Sequence, residues 1–424
     1  MSAVLSDIRV IDATDFIGHY AGYLLADLGA DVIKVEPLDG DPTRRWLPAL
    51  PDAPESEAGL QFLLLNANKR SVALDLDDPS GRAAFLRLVK SADIVLESWS
   101  PARASDLGFA PAELREVNPG LIHASITEWG LSGPLAGAPS ADMVAVAQAG
   151  LMHLNGILNG PPRNLPDHQG YRCASINAAA GVMAALLHRD ETGIGQLVEV
   201  SMQEALLIAQ ETAMQQADIL GTDRERLGGL RPGGFKMPGL GIYETADGFI
   251  FAMCSGNAGS GFPGLVDLIE EMEGRGPLQE EPLATFARNE MNAGQLMERI
   301  QDPEQAPQLL ETLARIDTLV TEFFRRHSKT VLYERGQQRR VLLGAVNAPP
   351  EVSADEQLRA RDWFRDVFDP TRGRTLRYPG PPWMLERTPA HLGRPAPRLG
   401  EHTREVLEEA GVPADELLAG GGAQ

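Results

Sequence analysis

The segment from residue 160 to residue 187 places several chemically capable side chains just before an alanine-rich stretch. Asp167 could act as a carboxylate nucleophile, and Tyr171, four residues or about one helical turn later, could donate a hydrogen bond. His168 lies between them and could serve as an acid–base group. Each residue also has a structural interpretation. Asp167 would lie in a turn or cap a helix, Tyr171 would be a packed ring that fills a pocket, and His168 would be a hydrogen-bonded histidine.

The elements that must position these residues begin with short apolar strands that alternate with helices. Strands are predicted at 8–12, 31–36, 70–75, 93–97 and 121–126, and helices at 19–29, 80–91, 111–117, 143–149 and 178–187. This alternation predicts a parallel α/β sheet, with Ser80 expected to cap the helix that follows it. The first strand–helix turn lacks a Gly-x-Gly-x-x-Gly motif, which argues against a nicotinamide dinucleotide site of the usual kind.

The composition changes after residue 220, and this predicts two domains. Residues 1–220 form the first part of a large α/β domain, residues 221–335 form a linker and a smaller inserted α+β domain, and residues 336–424 return to the large domain. The linker is expected at 228–234, where glycines flank Arg231 and Pro232. A hairpin is expected at 241–252, with its turn at Asp247-Gly248.

Bulk properties exclude several classes of protein. The formal net charge of −21 argues against nucleic acid or an anionic membrane as the main partner. The two cysteines, Cys173 and Cys254, make neither a disulfide framework nor a zinc site, and they suit a reduced cytoplasm. The N-terminus lacks the pattern of a signal peptide, no run of apolar residues is long enough for a membrane span, and we expect no metal cofactor.

Several short motifs occur in an order that resembles the family III CoA-transferases, also called the CaiB/BaiF family. They include Leu28 to Glu36, Asn68 to Leu76, Ala92 to Glu97, Asn118 to Ile122, Gly130 to Pro134 and Ala396 to Thr403. The Pro161-Pro162 loop, the helix after it and the run from Thr192 to Met202 are similar to the family's catalytic segment. Each motif alone is weak, but together they cover nearly the whole chain.

The resemblance implies a fold, an assembly and a reaction. It implies a Rossmann-like large domain built from both chain ends, a small inserted domain, and a dimer of two interlocked rings. The implied reaction is CoA transfer between carboxylic acids, in which an aspartate attacks the thioester and forms an acyl anhydride. CoA or an acyl-CoA would be the substrate, and the implied CoA- and substrate-binding residues are Lys34, Asn68, Lys69, Arg70, Trp99, Gly256, Gly259 and Gly261.

Some of these residues have structural alternatives. Lys34 and Lys69-Arg70 resemble residues near the CoA phosphates or at the domain edge, but they could also form a solvated positive face. The glycines of the 255–261 segment could form a mobile lid over the thioester or only a flexible connection after the hairpin. Arg44-Arg45-Trp46 could stack on an adenine ring or lie in a surface loop.

The chain departs from the family at functional positions. Counting back from Ala184-Ala185-Leu186 without a gap places Tyr171 where the family has its nucleophilic aspartate. A phenol cannot form the acyl anhydride. Ser98-Trp99 replaces the usual Asn-Phe, His19-Tyr20 replaces Gly-Pro, and Asp106 replaces a base that some relatives use to hold CoA; an acid there has the wrong sign for a phosphate.

Three hypotheses follow. In the first, the chain is the non-catalytic subunit of a heterodimeric CoA-transferase whose homologous partner keeps the aspartate. In the second, it is an active homodimeric transferase, or an acyl-CoA racemase or isomerase, that uses other residues such as Asp167. In the third, it binds acyl-CoA without catalysis. The sequence does not name the carboxylic acids.

Overall fold

The computed structural model describes residues 3–51, 53–54, 57–157, 160–224, 226, 236–254 and 259–424. The expected linker at 228–234 and Gly256 lie outside these residues. The chain forms two compact units. The first comprises residues up to Met152 together with 164–219 and 356–424, and the second comprises 153–163 and 220–355.

The first unit is built on a six-stranded parallel sheet in the order β3-β2-β1-β4-β5-β6. Strands of this kind form because their apolar residues can be buried on both faces. The strands are β1 (Arg9–Ala13), β2 (Asp31–Glu36), β3 (Arg70–Ala73), β4 (Ile94–Glu97), β5 (Ile122–Thr127) and β6 (Leu197–Ser201).

Helices connect these strands and cover both faces of the sheet. They are α1 (His19–Asp27), α2 (Leu60–Leu65), α3 (Pro79–Lys90), α4 (Pro101–Leu107), α5 (Pro111–Val117), α6 (Asp142–Gln148), α7 (Leu151–Leu154), α8 (Gln169–Thr192), α9 (Met202–Leu207) and α10 (Ala213–Leu220). Alternate strand residues point to opposite faces, so Val10 packs against α1 and α8 while Ile11 packs against α3 and the C-terminal helices.

Two helix starts differ from the sequence prediction. The helix α3 is capped by Asp78, whose side chain accepts a hydrogen bond from Ser80 N, so the prediction that Ser80 is the cap is wrong. Pro79 at the first helical position fixes this start, since its missing N–H costs nothing there. The helix α8 begins at Gln169 rather than 178, because its polar first half is anchored by tertiary contacts that periodicity does not reveal.

The second unit has a three-stranded antiparallel sheet in the order β7-β8-β9. Tyr243 and Ile250 on its inner face pack against Leu265 and Phe324 in a separate core. Its elements are β7 (Leu240–Thr245), β8 (Gly248–Met253), α11 (Gly261–Glu273), α12 (Leu283–Asn289), α13 (Ala293–Ile300), α14 (Ala306–Arg326), α15 (Lys329–Gln338), β9 (Leu343–Ala345) and α16 (Pro349–Ser353).

The C-terminal segment returns to the first unit. It contains α17 (Glu356–Ala360), a hairpin of β10 (Arg365–Asp369) and β11 (Arg374–Tyr378), and the helices α18 (Thr403–Glu409) and α19 (Ala414–Ala419). Val406 and Leu407 of α18 are buried against the sheet beside Phe85. Gln424 N donates a hydrogen bond to Ala73 O at 3.2 Å, which ties the chain end to the edge strand β3. No helix of the described residues is long and apolar enough to cross a membrane.

Candidate functional site

The order of the strands creates a crevice at the carboxyl ends of β1 and β4. The chain leaves these neighbouring strands in opposite directions, and ligands of open α/β sheets bind at such a switch point. Ser98 follows β4, and its hydroxyl accepts a hydrogen bond from Asp15 N, after β1, at 2.8 Å. A cavity of about 520 Å³ opens here, lined by residues that include Thr14, Asp15, Lys34, Asp41, Asp77, Ser98, Trp99 and Arg103.

The lining of this switch-point cavity is rich in acids. It contains two basic side chains, Lys34 and Arg103, and six carboxylates, from Asp15, Glu36, Asp39, Asp41, Asp75 and Asp77. Arg103 is itself paired with Asp77 at 2.6 Å. The cavity therefore offers few free positive charges to an anionic ligand. Arg103, one helical turn before Asp106, was missed in the sequence, although the three-residue spacing puts both on the same side of α4.

Trp99 is held at the mouth of this cavity. Its backbone N–H donates to Glu97 Oε2 at 2.6 Å, and its ring packs on Phe85 and Phe109 with centroid separations of 5.7 and 5.5 Å. Trp99 and Lys34 are thus the two residues of the predicted binding set that the structure brings to the cavity.

Lys34 and Lys69 belong to a buried ion network, not to a solvated face, and Lys34 and Asp41 of this network also line the cavity. Lys69 Nζ lies 2.7 Å from Asp12 Oδ2, and Lys34 Nζ lies 3.6 Å from Asp41 Oδ2, which also contacts His19 Nε2 at 3.0 Å. All five side chains are buried. Burial alone would raise the pKa of Asp12, but the Lys69 and Lys34 ammonium groups hold it well below its usual range.

Asn68 and Arg70 hold the C-terminal segment in place. Asn68, at a left-handed φ of 64°, donates through Nδ2 to His391 O at 2.6 Å and accepts from Gly393 N at 2.9 Å. Arg70 pairs with Asp31 and with Glu409 of α18, at 2.6 and 2.9 Å. Neither residue, nor Lys69, lines the switch-point cavity.

Tyr171 lies in the first turn of α8, within a group of aromatic rings. Its ring is stacked on His168 at 5.7 Å between centroids and meets Phe16 edge-on at 5.6 Å, and Trp46 packs on Phe16 and His168. Burial and the nearby Glu128 carboxylate raise the pKa of Tyr171 well above its usual range. The phenol therefore stays protonated near neutral pH and can donate a hydrogen bond but not act as an anion.

Glu128 is a candidate that the sequence analysis missed. It directly follows β5, is half-buried, and lies close enough to Tyr171 to shift its titration. Burial and the Asp15 carboxylate raise the pKa of Glu128. A carboxylate two residues after the strand predicted at 121–126 was the available signal, but its nearness to Tyr171 depends on how α8 packs.

Asp167 is exposed and precedes α8. Asp167 and His168 have φ angles of 55° and 52°, so the chain makes a left-handed turn before the helix begins at Gln169. His168 turns back onto Tyr171 while Asp167 remains in solvent, which fits the structural interpretation of Asp167 as a turn residue. Of the expected glycine segment, Gly259 and Gly261 lie in the second unit, where they have left-handed φ values of 62° and 60° and Gly261 starts α11.

Comparison with known proteins adds the family to this geometry. The sequence profile of CoA-transferase family III matches residues 5–403. The chain belongs to this family. The family expected from the sequence motifs is thereby confirmed.

Individual family members align over nearly their whole length. The chain is 35% identical, over 98% of its residues and 97% of the relative's, to the protein named succinyl-CoA:(R)-benzylsuccinate CoA-transferase subunit BbsE from Thauera aromatica. It is 30% identical, over 97% and 96%, to succinyl-CoA–D-citramalate CoA-transferase from Chloroflexus aurantiacus. A solved CAIB/BAIF family protein from Brucella suis covers 97% of this chain and 100% of its own, with a TM-score of 0.82 and 23% identity. This likeness confirms the predicted α/β fold with a large parallel sheet.

Within the family III fold, the chain keeps the helix that carries the predicted catalytic position, but it presents a phenol there. The rings of Phe16 and His168 pack on Tyr171, and the carboxylates near it are Asp15 and Glu128, which follow β1 and β5, and Asp142 of α6. In the described residues, no group of three or more potential metal ligands is assembled. The arrangement can donate a hydrogen bond to an acyl oxygen, or it can fill an acyl pocket.

Proposed function

We propose that this chain is a family III CoA-transferase polypeptide that serves as the non-catalytic subunit of a heterodimeric enzyme. The observation that carries the proposal is Tyr171, at the position where the family is expected to have its aspartate. Its ring packs between Phe16 and His168 and its hydroxyl stays protonated. A neutral phenol does not attack a thioester as a carboxylate does, and it cannot form an acyl anhydride.

The acidic lining of the switch-point cavity supports the same proposal. CoA carries several negative charges. Both basic groups of the lining, Lys34 and Arg103, are paired with carboxylates, whereas Asp15, Asp39 and Asp75 have no ion pair among the described residues, so the lining repels a polyanion. We therefore expect the isolated chain to bind CoA weakly. In a heterodimer, the homologous partner would hold the acyl-CoA and supply the aspartate, while this chain would shape the assembly.

The relatives support the reaction class and the assembly. One is named as a subunit of a CoA-transferase, and two are named with succinyl-CoA as the donor. We propose that this chain, too, acts in CoA transfer from an acyl-CoA such as succinyl-CoA to a second carboxylic acid. Its place of action would be the cytoplasm, where Cys173 and Cys254 would stay reduced.

The first test identifies the partner. The tagged chain is purified from its native host, and its partners and any bound thioesters are identified by mass spectrometry. We expect a related polypeptide that has aspartate at the position of Tyr171, and a particle of about two chains by light scattering. A stable monomer at micromolar concentration, or a homodimer that transfers CoA alone, would contradict the proposal.

The second test assigns the chemistry to one subunit. The two chains are expressed together and assayed with succinyl-CoA and a panel of carboxylic acids. Replacement of the partner's aspartate by alanine should abolish transfer, whereas Tyr171→Phe, which removes only the hydroxyl, should leave turnover within about threefold. Loss of activity in Tyr171→Phe with an intact dimer would give this chain a direct catalytic role.

A second candidate function, an active enzyme that uses another carboxylate, is favoured by Glu128. This half-buried group has a raised pKa and lies beside Tyr171 and Asp15. The discriminating measurement is transfer or racemisation by the isolated chain and by its Glu128→Gln variant. Activity in the isolated chain that disappears with Glu128→Gln would favour this candidate, and the absence of any activity while CoA still binds would favour a binding protein.

A further inference from the structure

A second cavity, of about 530 Å³, lies in the first unit and shares no lining residue with the switch-point cavity. Its apolar side is formed by Leu50, Pro51 and Pro54. Its polar side is formed by Thr371, by Glu57, whose carboxylate is paired with Arg372 and Arg44, and by three arginines, Arg372, Arg374 and Arg398. In a chain with a net charge of −21, a cavity with three arginines is a distinct chemical feature.

Arg372 is fixed firmly at the base of this arginine cavity. Its guanidinium group pairs with Asp369 at 2.6 Å and with Glu57 at 3.0 Å, and its side chain is 6% exposed. Glu57 is held in turn by Arg44 at 2.9 Å and by Leu399 N at 3.1 Å. This network leaves Arg372 Nε buried without a hydrogen-bond partner in the described part of the chain. A buried donor without an acceptor is unfavourable and is a common sign of a missing ligand or water.

Arg374 and Arg398 are exposed at the rim of the cavity. Arg374 begins strand β11, directly across from Asp369, which is already paired with Arg372. Glu401 accepts a hydrogen bond from the backbone N–H of Arg398 at 2.8 Å. Neither of these two guanidinium groups has an ion pair within the residues that the structure describes. Two free forks of N–H donors on a rigid base match the oxygens of phosphate or carboxylate groups.

We propose that this arginine cavity is a binding site for a small dianion, a phosphate group or a dicarboxylate, held by Arg374 and Arg398 over Arg372. The apolar wall of Leu50 and Pro54 would contact the carbon skeleton of an organic ligand. The site lies outside the switch-point cavity and does not depend on the proposed transferase activity.

The experiment is calorimetric titration of the full-length chain, in whatever assembly it forms, with inorganic phosphate and separately with succinate, at constant ionic strength. The test variant is Arg374→Gln/Arg398→Gln. The matched control is Arg377→Gln/Arg404→Gln, which removes the same charge from exposed arginines that pair with Asp366 and Asp415 outside the cavity. Circular dichroism checks that both variants fold.

We expect the wild type and the control to bind at least one of the two anions, and the test variant to bind it at least about tenfold more weakly. The anion with the higher affinity shows whether the site prefers a phosphate group or a dicarboxylate. Equal loss in the control would show a general surface-charge effect and overturn the proposal. The proposal would also be wrong if neither anion binds the wild type at concentrations up to about 20 mM. The same holds if both variants bind the anions as tightly as the wild type does. Selenate-soaked crystals provide an independent readout, since anomalous scattering must place the ion beside Arg374 and Arg398.

Discussion

Asp142, at the start of α6, accepts a hydrogen bond through Oδ1 from the backbone N–H of Tyr171 at 2.9 Å. The residue before α8 is His168, whose side chain makes no capping hydrogen bond. A carboxylate from a different helix thus satisfies one of the free N–H groups in the first turn of α8 and complements the positive end of the helix dipole. The predicted catalytic position is held by its backbone, whatever side chain it carries.

This relationship predicts that Asp142→Ala destabilises the fold. Asp142 is 4% exposed, and its removal leaves the Tyr171 N–H buried without an acceptor, so we expect a loss of about 1–3 kcal/mol in the free energy of unfolding. Asp142→Asn keeps an oxygen acceptor and should lose less. Urea denaturation measures both. The control is Asp190→Ala, an exposed acid at the other end of α8, where loss of a negative charge should be neutral or slightly stabilising.

Asp167 tests the interpretation of the turn before α8. Its φ of 55° is left-handed, a conformation that glycine adopts freely and alanine does not. We expect Asp167→Gly to be about 1 kcal/mol more stable than Asp167→Ala in thermal or urea unfolding. Neither change should alter CoA transfer by the assembled enzyme. Loss of transfer in a folded Asp167→Gly variant would instead identify Asp167 as a catalytic group.

Five of the six strands of the sheet were predicted because they are short runs with buried apolar residues, whereas β6 (Leu197–Ser201), which is only partly buried and carries Glu199, was not predicted. Residues such as Val10 and Ile33 are buried whichever face they take, so the run itself defines the strand. The cap of α3 was also within reach, since Asp78-Pro79 is a recognised helix start. The capping of α8 was not, because Asp142 is twenty-nine residues before Tyr171 and only the packed structure brings them together.

The candidate site was predicted less completely, because its contacts also join residues that are distant in the sequence. Lys69 was expected near a ligand or on a solvated face, but Asp12 lies on another strand and draws it into a buried ion pair. Glu128 became a candidate only when α8 placed Tyr171 beside it. Sequence motifs located the segment around residue 171. The surroundings of Lys69 and Glu128 depend on tertiary packing and ion pairing, which the motifs do not reveal. The interlocked dimer and the predicted binding roles stay predictions.

Asp27 predicts an unusual dependence of stability on pH. It is 1% exposed, and burial raises its pKa to about 7 although Asn68 Nδ2 donates a hydrogen bond to Asp27 Oδ1 at 3.2 Å. Between about pH 4 and pH 7, the folded state keeps this proton while the unfolded state has released it. The contribution of Asp27 to stability therefore falls as the pH rises through this window, by roughly 4 kcal/mol in all.

The measurement for Asp27 compares the free energy of unfolding of the wild type and Asp27→Asn from pH 4.5 to pH 8. The difference between the two proteins should change steadily up to about pH 7 and then level off, with the variant gaining relative stability as the pH rises. The control is Asp106→Asn, which makes the same chemical change at an exposed position outside the core. A constant difference for Asp27→Asn would mean that Asp27 is ionised throughout.

The final prediction concerns Tyr171→Asp, which restores the side chain expected from the family. The new carboxylate would lie at the first turn of α8, where the helix dipole favours it, but also beside Glu128 and Asp15, which repel it. Removal of a ring that packs on Phe16 and His168 should cost roughly 1–4 kcal/mol of stability. The acidic switch-point cavity is unchanged, so a new nucleophile would still lack a well-held substrate.

We therefore expect the isolated Tyr171→Asp variant to show no transfer from succinyl-CoA and no acyl-enzyme that hydroxylamine can trap. Tyr171→Asn is the matched control, since it has nearly the same shape and cannot act as a nucleophile. Calorimetric titration of CoA, run beside the transfer assay, separates the two possible causes of inactivity. If the wild type, Tyr171→Asp and Tyr171→Asn all bind CoA weakly, inactivity results from poor substrate binding in the acidic switch-point cavity. Turnover by Tyr171→Asp that Tyr171→Asn lacks would show that the cavity holds CoA well and that a single substitution separates this chain from an active transferase.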